Sequence, residues 1–99
     1  MKEEIIKIIQ KIEEKHLNDP SKSEDFKKIT EILSKSSVET ISCLNELDEN
    51  SISWVSYSFE DLAYKFQSKE FIDCIKNLVV KFPNISYLKD DVQDAIDSM

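Results

Sequence analysis

"FIDCIKNLVVKFPN", residues 71–84, is the stretch on which the fold class turns. Its apolar run "LVVKF" (78–82) has the composition of a strand. Yet Phe71, Ile72, Ile75, Leu78, Val79 and Phe82 fall at i, i+1, i+4, i+7, i+8 and i+11, one face of a helix. No other segment offers a partner strand. Ser68 is placed to cap the helix, and Pro83 stops it.

The same period recurs on both sides. Ile5, Ile8, Ile9 and Ile12 form the stripe of a first helix, about Lys2 to His16, which "LNDPS" interrupts. Ser21-x-x-Glu24 offers a capping box for a second, carrying Phe26, Ile29, Ile32 and Leu33. Ser36-x-x-Glu39 offers another for a third, with Val38, Ile41, Leu44 and Leu47 inward. "DENS" (48–51) reads as a turn, and "SWVSYSFEDLAYKF" (53–66) as one continuous fourth helix with Val55, Phe59, Leu62, Ala63 and Phe66 inward. A last helix, about Tyr87 to Ser98, uses Leu88, Val92, Ala95 and Ile96, with Met99 as a further candidate for its inner face. The expectation is one all-α domain over residues 1–99, about six short helices in packed antiparallel hairpins. A faint repeat adds to this. "ISCLNEL" (41–47) and "IDCIKNL" (72–78) match 31 residues apart, and "VSY" (55–57) and "ISY" (85–87) follow them, as in a short HEAT-like stack. The alternative is that any amphipathic helix carries so simple a pattern.

Composition excludes several functions. The 99 residues contain no glycine, which removes glycine-rich phosphate loops and dinucleotide fingerprints. All 13 basic residues are Lys against 20 acids, for a net charge of −7. Without the bidentate arginine fork, a nucleic-acid partner is not expected. No run approaches the roughly 20 apolar residues of a membrane span, and the charged N-terminal stretch is no signal peptide. Cys43 and Cys74 are widely spaced among aliphatic residues, as buried reduced thiols of a cytoplasmic protein would be. No metal or cofactor motif is present. His16, the single histidine, stands at a helix end with no nucleophile beside it, so no catalytic residue is assigned.

What remains is surface character. Trp54, Tyr57, Asp61 and Tyr64 make a second stripe beside the core face of the fourth helix. Between Ser36 and Tyr64 there is no Lys, while Glu39, Glu46, Asp48, Glu49, Glu60 and Asp61 lie there. Tyr and Trp give large contact area for few rotatable bonds, and carboxylates around them steer a basic partner. The stripe is thus a candidate partner-binding face, with Glu46, Asp48, Glu49 and Glu60 as its rim. The competing reading buries both stripes in a central helix, which an unpaired Asp61 would make costly. Asp90, Asp94 and Asp97 form a further acidic stripe, either an extension of that face or a solvated surface.

A Gly-free acidic chain with "YKFQSKEFIDCIKNLVVKFPN" (64–84) and the tail "DDVQDAIDSM" (90–99) resembles the small helical immunity proteins of bacterial polymorphic and contact-dependent toxin systems. The resemblance spans residues 50–99 and is one of texture, without a diagnostic motif. It implies a cytoplasmic, non-enzymatic protein that neutralises a cognate toxin domain, often a basic nuclease, by tight binding. It also implies that Asp61 with Tyr57 and Tyr64 corresponds to the acid-and-tyrosine cluster that anchors the toxin in some of these proteins. The rival is a helical-repeat adaptor without a toxin partner; a carboxylate-based DNA mimic and a small ligand-binding domain are more distant.

Overall fold

The structure, a computed structural model, describes residues 1–15 and 18–99. Among them are seven α-helices and one 3-10 turn, with no strand: α1 (Lys2–Glu14), α2 (Lys22–Leu33), α3 (Ser37–Glu46), α4 (Glu49–Val55), the turn Ser56–Ser58, α5 (Phe59–Phe66), α6 (Lys69–Lys81) and α7 (Leu88–Asp97). Counting α4, the turn and α5 as one bent segment gives the expected six, and the fold is all-α. The predicted end of the first helix at His16 lies outside the described residues.

The apolar stripes become the core. Ile5, Ile9, Ile12, Ile29, Leu33, Leu44, Phe59, Leu62, Phe71, Ile75, Leu78 and Leu88 are buried. "LVVKF" continues α6 as a helix through Lys81 with Phe82 as its C-cap, and Val79 and Phe82 are half-buried at its edge. α5 and α6 both pack on α7, α1 packs on α2, and α3 on α6. The repeated segments 41–47 and 72–78 therefore meet, with Cys74 Sγ donating to Asn45 Oδ1 at 3.7 Å. Both cysteines are buried and free, and burial pushes their thiols up.

Several local expectations need correction. "DENS" is not a free turn: the Asp48 carboxylate accepts from the Ser51 N–H at 2.8 Å and starts α4 at Glu49. The stretch 53–66 is not one helix. Ser58 Oγ donates to the Val55 carbonyl at 2.6 Å, and the backbone tightens through Ser56–Ser58. Val38 faces solvent at 77% exposure, because buried Thr40, donating its hydroxyl to the Leu33 carbonyl, sets the core face of α3 on the opposite side. Ser21 makes no side-chain cap for α2; its N–H and hydroxyl both donate to Asp19 Oδ1 instead. The Ser36 and Ser68 caps form, accepting from the Glu39 and Phe71 N–H groups. Met99 is exposed.

Candidate functional site

The 3-10 turn decides the surface. A helix turns 100° per residue and a 3-10 turn 120°, so three tightened residues rotate α5 by about 60° against α4. Both flanking core residues, Val55 and Phe59, stay fully buried, while the turn swings Tyr57 toward α2. There the Tyr57 ring meets Phe26 edge-on, centroids 4.8 Å apart at 76°. Trp54 lies against Phe26 as well, at 6.2 Å and 29°.

These rings line an open groove of about 770 Å³ between α2, the α4–α5 bend and the start of α7. Phe26, Lys27, Thr30 and Glu31 come from α2; Trp54, Ser56, Tyr57 and Asp61 from the bend; Tyr87 and Asp91 from the last segment. Each polar end of its Trp and Tyr rings is tied to the protein. Trp54 Nε1 donates to Glu13 Oε2 at 3.2 Å, and Asn50 Nδ2 donates to the same oxygen at 3.1 Å. The Tyr57 hydroxyl donates to the Phe26 carbonyl, and the Tyr87 hydroxyl to the Ser53 carbonyl at 2.8 Å. Burial pushes the Tyr57 phenol up to about 12, with a smaller upward push from the Asp61 charge and an opposing pull from the Thr30 hydroxyl.

The carboxylates differ in state. Asp91 is half-buried and accepts from Ser56 Oγ at 2.8 Å. Asp61 is exposed, and no ion pair among the described residues involves it. Glu31 and Lys27 stand on the α2 rim, four residues apart. Ser56 beside Asp91 has the look of a hydroxyl–carboxylate pair, but at 1% exposure its oxygen is closed to a substrate. What the groove offers is binding: aromatic faces, and more carboxylate than ammonium at the edge.

No family model, curated protein or solved structure matches the chain.

Of the sequence-predicted site residues, Trp54, Tyr57 and Asp61 share this groove. Tyr64, 72% exposed, and Glu60 lie on α5 outside it. Glu46 lines a separate polar hollow of about 590 Å³ with Met1, Lys2, Glu3, Glu39 and Ser42. Asp48 is engaged as a helix cap, which holds its carboxyl below the usual range, and Glu49 is exposed in the first turn of α4. Asp90, Asp94 and Asp97 are exposed on α7, and it is Asp91, outside that stripe, that enters the groove. Phe26, Tyr87 and Asp91 were not assigned to the site from sequence. For Tyr87 a signal existed: "VSY" and "ISY" place Tyr57 and Tyr87 at matching positions of two similar stretches. Among the described residues no helix is long and apolar enough to cross a membrane, and no group of three or more metal-ligating side chains is assembled.

Proposed function

We propose that this chain is an immunity-type inhibitor, binding a basic, nuclease-type toxin domain in the cytoplasm and blocking it by occlusion. The observation that carries the reading is the groove itself. Three rings with tied polar ends and an exposed carboxylate share one open face, on a chain of net charge −7. Exposed aromatic surface is expensive to keep unless something covers it, and rigid Trp and Tyr are the usual anchors of tight interfaces. The acidic surface draws a basic partner and speeds its approach. Tyr64 and Glu60, on the neighbouring part of α5, extend the contact; Glu46, Asp48 and Glu49 act at longer range through their charge. The repeat, with its matched segments on packed α3 and α6, supports reading the chain as a short HEAT-like stack.

The test is an affinity capture from the source cell with wild type and with Trp54→Ala/Asp61→Lys, followed by titration of the purified partner's activity. One basic partner, inhibited in a one-to-one complex and released by the double variant, is the expected result. Loss of the central aromatic alone should weaken binding by about 2–4 kcal/mol. A partner bound equally by both proteins, or a set of weak partners with no inhibition, would replace this reading with that of an adaptor or move the interface elsewhere.

A further inference from the structure

A partner seated on this face must put something into the groove, and the chemistry left free there is restricted. The hydrogen-bonding ends of Trp54, Tyr57 and Tyr87 are all occupied by Glu13, the Phe26 carbonyl and the Ser53 carbonyl. What they present is ring face and ring edge, with no donor to spare for an acceptor ligand. The edge carries Glu31, Asp61 and Asp91 against the single ammonium of Lys27. An anion is therefore repelled. A purely apolar occupant would cover Asp61 and Asp91 without giving them a donor, which is costly.

We propose that the groove receives one arginine side chain of the protein partner, its guanidinium laid on the aromatic faces and its N–H groups donating to Asp61 and to the second oxygen of Asp91. This deepens the inhibitor reading above and rests on it only for the identity of the partner. A guanidinium suits both halves of the site at once, since it is planar enough to stack and carries several fixed donors. A lysine ammonium meets the carboxylates as a point charge and is more strongly hydrated, so it gains less from the rings. Because the rings are already held by their own hydrogen bonds, little side-chain order has to be imposed on binding. The groove, at about 770 Å³, leaves space for the arginine stem and its flanking backbone.

The experiment uses the full chain, 15N-labelled, and four blocked pentapeptides that differ only at the central position: arginine, lysine, citrulline or leucine. Citrulline keeps the shape of arginine and removes the charge. The arginine peptide should shift the indole N–H signal of Trp54, the single Trp of the chain, in a saturable way at millimolar peptide. Lysine should bind several-fold more weakly, and citrulline and leucine should leave the signal in place. Asp61→Asn, at an exposed position, should weaken arginine binding about two- to fivefold while leaving the melting temperature of the free protein near that of wild type. Equal responses to arginine and citrulline would overturn the proposal, as would shifts confined to Asp90, Asp94 and Asp97, or no response at all. A tight basic partner released by Trp54→Ala, with no response to the arginine peptide, would remove this inference and leave the inhibitor reading standing. Arginine-selective binding without any such partner would do the reverse.

Discussion

Replacing Phe26 by Ala should show how much of the fold's stability is invested in shaping the groove. Phe26 is half-buried, yet it bears both aromatic contacts that hold α2 to the α4–α5 bend. A fully buried Phe→Ala change costs about 3–5 kcal/mol, and half-burial brings the transfer and cavity share to about 2. The close edge contact with Tyr57 adds about 0.5–1 kcal/mol; the looser stack with Trp54 adds less. The expected loss is thus about 2–3 kcal/mol, or a melting temperature lower by about 10–20 °C for a chain of this length. Urea and thermal unfolding followed by far-ultraviolet dichroism would measure it, with Trp54 emission shifting to the red as its ring loses cover. Phe59→Ala is the control. Phe59 is fully buried and packs edge-on against Phe71 at 6.1 Å, so its loss should approach 4 kcal/mol without moving the Trp54 emission of the folded state. If Phe26→Ala cost less than about 1 kcal/mol, or left the Trp54 emission unchanged, Phe26 would not be what holds α2 to the bend.

Tyr57→Phe should cost about 1 kcal/mol near neutrality, where the phenol donates to the Phe26 carbonyl. Because the folded phenol is raised to about 12, wild type should lose about 1 kcal/mol, after allowing for its partial exposure, as pH climbs from about 10 through 12. Tyr57→Phe should lack that alkaline loss in denaturant titrations. Asp48→Ala should remove the α4 cap at about 1 kcal/mol and flatten the acid limb, since a depressed carboxyl stabilises above its unfolded pKa and ceases to as pH falls through the folded one. Gln67, at φ 46° and the one non-glycine residue described with positive φ, ends α5 in the left-handed region; Gln67→Gly should gain about 0.5 kcal/mol, read from the urea midpoint. Ser56→Ala should cost about 1–2 kcal/mol in the same assay, by leaving half-buried Asp91 without its donor.

The helices were legible because their apolar residues repeat at the helical period, and Ile5, Ile9, Ile12, Phe71, Ile75 and Leu78 all end in the core. The break at Ser56–Ser58 was hidden because Val55 and Phe59 are in register for an unbroken helix and stay buried on either side of it. Only the two serines hinted at it, and a serine in a helix is too common to read as a break. Val38 was misplaced for a related reason. An apolar residue outranks a threonine in any hydropathy pattern, and only the bond from Thr40 to the Leu33 carbonyl shows which of them faces inward. The site was half legible. Trp54, Tyr57 and Asp61 share one local segment, so their spacing was visible. Phe26, Tyr87 and Asp91 reach them through tertiary packing, which local periodicity does not encode. The acidic rim fared worst, because residues close in sequence, such as Glu46 and Asp48, diverge at a helix end to different parts of the surface.

The groove draws its walls from α2, from the α4–α5 bend and from the segment carrying Tyr87 and Asp91, and this imposes an order in time. On a growing chain Phe26 emerges long before Asp91. At roughly 5–20 residues per second the interval is on the order of several seconds. From the emergence of α5 until α7 follows, the face of α5 that packs on α7 has no cover, and the groove lacks the wall that carries Tyr87 and Asp91. The complete groove should therefore arrive late and abruptly, with the docking of α7. A protease that clipped that last helix would take away one wall of the groove and uncover α5 without touching Trp54.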